Sequence, residues 1–171
     1  MITDIATVLW KEMLEYIHMR GSGKGTFLAL VIPLFILGIF MPLQFGRVWI
    51  ESPASLFAWA WLPLVLTTMV IADSIAGERE RHTLETLLAS RLPDRAILFG
   101  KLLASMIYAL SLTYFTIIIG VITVNIARRS EGFVFFDISI LFVGAASSIL
   151  GTAFASCLGI IVSLRAATVR Q

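Results

Sequence analysis

Charge is what this sequence has least of. Only 14% of its 171 residues are Asp, Glu, Lys or Arg, well below the ~25% of an ordinary soluble domain. Four stretches have none at all: residues 26–45, 52–72, 102–127 and 138–164. Cysteine is nearly missing too, with Cys157 alone inside an apolar run. A disulfide within the chain is therefore excluded, and so is a thiolate metal centre. No histidine, acid or base falls within the four uncharged stretches. That removes the buried titratable groups on which intramembrane enzymes and ion-driven transporters depend, and repeated halves are not visible either. Strand-like alternation is absent, which argues against a barrel. Gly144–Ser148 reads "GAASS", without the Gly-x-Ser-x-Gly spacing of a nucleophile elbow. No residue of this chain is expected to be catalytic, cofactor-binding or metal-ligating.

A nucleotide site also fails on spacing. The stretch "GSGKGT", residues 21–26, looks like a phosphate cradle. A P-loop needs a glycine five positions before Gly23, where His18 stands, and a hydroxyl after Lys24, where Gly25 stands. The sequence pI of about 9.0 comes from scattered basic residues rather than a basic patch, so nucleic acid is not indicated as a partner.

What the chain has in excess is apolar surface. Hydrophobic residues make up 58%, and the mean hydropathy is +0.94. About 20 helical residues span the ~30 Å hydrocarbon layer, and each uncharged stretch is that long. Lipid offers no partner for an unpaired backbone group, so the stretches are expected to be helices. The first is not a cleavable signal peptide. It follows a leader of 25 residues, is too long for an h-region and ends without a small-x-small site. Pro33 and Pro63 are expected deep within the first two spans, and Pro53 in a first turn.

Orientation follows from the cations in the flanks. The leader (Lys11, Arg20, Lys24), the middle loop (Arg79, Arg81, Arg91, Arg95, Lys101) and the tail (Arg165, Arg170) hold ten of the 13. The two other loops hold Arg47, Arg128 and Arg129. The positive-inside rule then puts both termini and the middle loop in the cytoplasm. Trp49, Trp59 and Trp61 fall near the outer end of the second span, where aromatic belts form.

Residues 1–25 are amphipathic. Ile5, Leu9, Met13, Tyr16 and Ile17 share one face; Asp4, Thr7, Lys11, Glu15 and His18 share the other. Such a helix lies in a membrane surface or packs on another helix, and periodicity does not separate the two.

Residues 73–101 carry ten of the chain's charges. Placed on a helix, residues 78–89 put Leu84, Leu87 and Leu88 on one face. Glu78, Arg81, His82 and Glu85 fall on the other, with Glu78–His82 and Arg81–Glu85 four apart. Each such pair contributes only ~0.2–0.5 kcal/mol. Pro93 disfavours helix at Leu92, and Asp94 is expected to cap the next helix. The result is a short rod tied to two membrane helices, or an amphipathic loop resting on headgroups.

The segment "GERERHTLETLL…GK" resembles the permease subunits of ABC transporters, of the ABC-2 exporter type. Those permeases show Glu-Arg, then Thr-Leu-Glu-x-Leu-Leu, then Gly-Lys before the third span. The matching positions are Glu78, Arg79, Thr83, Leu84, Glu85, Leu87, Leu88, Gly100 and Lys101. His82 stands where the family often has glycine. The leader, with "WKEML", is similar to the family's interfacial helix, and "VSLRAATVRQ" to its turn after the fourth span. Family permeases generally have six spans, so the resemblance implies a permease lacking the last two.

The resemblance implies an all-α polytopic membrane protein: four transmembrane helices, an N-terminal amphipathic interfacial helix and a cytoplasmic coupling helix, in one transmembrane domain over 1–171. The coupling helix would contact a separate ABC ATPase subunit through Glu78, Arg79, Arg81, His82, Thr83, Leu84, Glu85, Leu87 and Leu88. ATP and Mg would sit on that subunit, leaving no cofactor and no enzyme activity on this chain. A second permease subunit, identical or different, would complete the path in the cell membrane. No residue selects among the family's substrates; Gln44, Tyr108, Tyr114 and Asn125 are candidates to line a path. The competing expectation is a membrane anchor or regulatory subunit that does not transport.

Overall fold

The computed structural model describes residues 2–18, 31–80, 93–129 and 132–165. Every element among them is helical and none is a strand. The helices are α1 (Ile2–His18), α2 (Val31–Phe45), α3 (Arg47–Glu51), α4 (Ser55–Glu80), α5 (Asp94–Ala127) and α6 (Ile138–Arg165). All four uncharged stretches are helical where described, except for the turn at residues 52–54. Two helices, over Arg95–Ala127 and Ile138–Val162, are long and apolar enough to cross a membrane. The other two apolar helices, Val31–Phe45 and Ser55–Ile71, are shorter. Four spans of full apolar length are therefore not what the described residues present: 26–30 lie outside them, and the helix of the second stretch starts at Ser55 rather than 52.

Proline sets the shape of α2. Residues Ile36–Phe40 widen into a π turn, in which the Met41 N–H reaches back to the Ile36 carbonyl. Pro42 has no N–H for the carbonyl four residues earlier, that of Gly38. The Thr123 hydroxyl of α5 lies 3.2 Å from that oxygen, and donates also to the Ile119 carbonyl at 2.8 Å. A neighbouring hydroxyl and a π adjustment are the usual ways an apolar helix absorbs a proline. The helix stops at Gly46, whose φ of 55° strains any residue with a Cβ. Ser52, Pro53 and Ala54 then form a turn; Pro53 precedes α4 rather than lying within its first turn. Pro63 is buried inside α4, and the Thr67 hydroxyl donates to its carbonyl at 2.7 Å. α5 starts one residue earlier than a capping Asp94 requires: Pro93 is the extended flanking residue and Asp94 is already helical.

α4 packs most extensively on α6, and α5 packs on α1, α2, α4 and α6. The principal core runs from Leu37 and Ile50 through Leu62 and Leu66 to Val121 and Ile140. Trp49 and Trp59 belong to that core, and only Trp61 of the three tryptophans is exposed. An aromatic belt on the outer end of α4 is thus corrected to a packed aromatic core. Trp59 meets Tyr114 and Phe136 edge-on, with ring centroids 5.6 and 6.0 Å away. It also fills the space beside Gly144, where a Cβ would fall 2.6 Å from the indole Cδ2. Two hydroxyl bridges join α5 to α6: Ser105–Ser156 at 3.3 Å and Tyr114–Ser148 at 3.2 Å. Residue numbers rise on one helix as they fall on the other, so the two run antiparallel. Large apolar side chains such as Phe142, Leu150, Phe154 and Val162 remain exposed along α6. So extensive an apolar exterior is what a bilayer covers.

Candidate coupling site

A buried ion pair, Glu12–Lys101, lies at one end of the bundle. Ile71 of α4, Leu102 of α5 and Ile160 of α6 pack together, so the end of α4's apolar part lies level with the root of α5. Beyond Ile71, α4 continues unbroken to Glu80. Glu78 and Arg79 therefore lie on the same helix as the second apolar stretch. Arg81, His82, Thr83, Leu84, Glu85, Leu87 and Leu88 lie outside the described residues. The expected rod is described only at its first turn.

At the same level α1 meets α5, and the periodicity of both helices explains how. Ile5, Val8, Glu12 and Tyr16 recur three or four apart on α1, giving one continuous face. On α5 the facing positions are Gly100, Lys101 and Tyr108. Gly100 has no side chain, and Val8 occupies the space: a Cβ there would lie 2.6 Å from the valine Cβ. The Lys101 ammonium donates to Glu12 Oε1 at 2.8 Å. Lys11 donates to the same oxygen at 3.1 Å and reaches Glu15 at 3.0 Å. The rings of Tyr16 and Tyr108 approach to 5.4 Å. Contacts advance in the same order along both helices, so α1 runs parallel to the first turns of α5.

Burial makes the ion pair consequential. The side chains of Glu12 and Lys101 are 1% and 4% exposed. Two charges withdrawn from water cost several kcal/mol each, about what a well-formed contact returns. The pair therefore adds little net stability, but losing Lys101 leaves the buried Glu12 carboxylate to Lys11, and losing Glu12 takes the carboxylate from both lysines. Such a contact fixes register: α1 cannot slide or rotate against α5 without separating charges in an apolar setting.

The leader thus packs on a protein helix, the second of the two arrangements its periodicity allowed. Its packed face is also rotated from the expected one. Val8 and Glu12 are buried, whereas Trp10 is 67% exposed and Leu14 is exposed beside it. Glu12 belongs to neither of the two faces expected from the periodicity. The available signal was its place midway between Val8 and Tyr16 at four-residue spacing. Of the four path candidates, Tyr108 is buried against Tyr16 and Tyr114 bonds Ser148. Asn125 holds the backbone of Val134 at both N–H and carbonyl, at 2.8 and 2.9 Å. Gln44 is exposed.

A chain whose described elements are all helical, with an apolar exterior and two bilayer-length helices, is a membrane-spanning protein. The family model described as ABC-2 type transporter matches residues 3–166, and the chain belongs to that family. It is therefore a transmembrane component of an ABC transporter, from a family whose membrane subunits are typically non-catalytic. Comparison with curated proteins and with solved structures finds no significant match.

Proposed function

We propose that the chain is the permease subunit of an ATP-driven exporter, forming part of the translocation path and driven by a separately encoded ATPase. In this reading α2, α4, α5 and α6 all cross the cell membrane, with both termini and the 73–101 segment in the cytoplasm. ATP and Mg bind the ATPase, and a second permease subunit completes the path. The coupling contact runs from Glu78 to Leu88.

The observation that carries this reading is the unbroken helix from Ser55 to Glu80. Helix propagates displacement along its axis because each turn is hydrogen-bonded to the next. A load applied at Glu78 and Arg79 is delivered to the apolar part of α4. The return arm is equally direct: α5 begins at Asp94 and enters the bundle at Lys101, already locked to α1. A push on the intervening residues therefore bears on three helices together.

The test is purification of the chain from native membranes with its partners, alongside Glu78→Lys and Leu84→Asp. An ATPase is expected in the wild-type complex. Both variants are expected to insert normally while ATP hydrolysis no longer drives transport. Normal transport by the variants overturns the coupling assignment. A complex with no ATPase favours the anchor or regulatory role.

A further inference from the structure

The connection between α5 and α6 is built to present aromatic rings. Residues 132–137 carry no helix or strand, yet their backbone is pinned. Asn125 grips Val134 from both sides at 2.8 and 2.9 Å, and an Arg47 Nη2 donates to the Gly132 carbonyl at 3.3 Å. Phe136 turns inward onto Trp59. Phe133 and Phe135 turn the other way, 80% and 56% exposed, with rings stacked 9° from parallel at 6.5 Å. Two phenyl rings held outward on a fixed backbone are poor surface for water.

Their level along the bundle identifies what covers them. Helix α5 runs on from Lys101, at the α1 junction, to Ala127. At ~1.5 Å per residue those two points are ~39 Å apart, close to the ~40–45 Å of a bilayer with its headgroups. The connection therefore stands at the opposite membrane boundary from α1. Exposed apolar residues lead into it from both sides, Ile122 and Ile126 on α5 and Ile138 and Phe142 on α6. Arg129, exposed, stands at the head of the connection, at the depth where a guanidinium meets lipid phosphates.

We infer that Phe133 and Phe135 form a lipid anchor: a rigid aromatic pair seated in the headgroup–acyl boundary of the leaflet opposite α1, continuous with the apolar flanks of α5 and α6. The anchor fixes the depth of the α5–α6 end, while the α1 end holds the Glu12–Lys101 ion pair. It requires only that these helices cross a membrane, and stands apart from the ATPase assignment.

Spin labels test it in vesicles of mixed zwitterionic and anionic phospholipid, using the full chain with Cys157→Ser. Labels at Phe133→Cys and Phe135→Cys are expected to collide with oxygen more than with an aqueous nickel chelate. At Arg129→Cys the preference should reverse. A chelate-dominated signal at 133 and 135 overturns the anchor, and so does a label shielded from both reagents. Photo-cross-linking keeps an aromatic in place: p-benzoylphenylalanine at position 133 is expected to yield lipid adducts in intact membranes. Adducts only to protein overturn the inference.

Discussion

Glu12 and Lys101 are the residues through which the leader answers to the bundle. Breaking a buried ion pair costs up to about 3–5 kcal/mol; here Lys101→Met leaves the Glu12 carboxylate to the half-exposed Lys11, and Glu12→Gln takes the carboxylate from both lysines. Glu12→Gln and Lys101→Met are each expected to lower the midpoint of thermal unfolding in detergent and to release α1. Faster amide exchange over residues 5–16 would report that release. The exchanged pair, Glu12→Lys with Lys101→Glu, should recover much of the loss. If the exchanged pair is as unstable as either single variant, the contact does not set the register. Gly100→Leu attacks the same junction by bulk, since Val8 already fills the space beside the glycine. Overpacking a close contact costs typically ~1–3 kcal/mol, and here the expected result is displacement of α1 with α5 intact. Gly144→Leu should act likewise at the core, expelling Trp59 and shifting its fluorescence toward that of a solvated indole.

At the scale of elements, α4 matters for its continuity. Proline in a helix interior costs ~3 kcal/mol or more and breaks the axis. Ala76→Pro is therefore expected to leave the apolar part of α4 folded while separating it from Glu78. Transport should fail while insertion and ATPase association, measured by co-purification, persist. Transport at the wild-type rate would show that force does not travel along this helix. In the α5–α6 connection, one amide side chain holds the backbone of Val134. Asn125→Leu removes both bonds to Val134, and each buried polar group left unsatisfied costs about 1–3 kcal/mol. The Val134 amide should then exchange much faster, with the ends of α5 and α6 unchanged. Protection of Val134 in that variant would mean the backbone is held by something else.

For the whole molecule, the medium decides how much a sequence discloses. In water, an amphipathic pattern distinguishes inside from outside; in lipid both sides of a helix are apolar, and the pattern fades. The spans of α5 and α6 were legible because uncharged length is a sufficient signal for a membrane helix. The motif around Glu78 was legible as a family resemblance, and the family holds over residues 3–166. The packed face of α1 was not legible, because placing Glu12 inward requires knowing that Lys101 waits there. Trp49 and Trp59 were assigned to a belt for a similar reason: a tryptophan near a span end looks the same whether its neighbour is lipid or Gly144.

The sequence by itself determined that this chain is helical and membrane-embedded, where its apolar segments lie and which family it belongs to. Those properties follow from local composition and from the absence of water to satisfy a bare backbone. Only the tertiary structure decided which residues meet. Glu12 finds Lys101 across 89 positions, and Thr123 reaches the Gly38 carbonyl across 85. Asn125 closes the α5–α6 connection. Each contact satisfies a polar group away from water, and each partner is set by how the helices pack, which no local window of sequence contains.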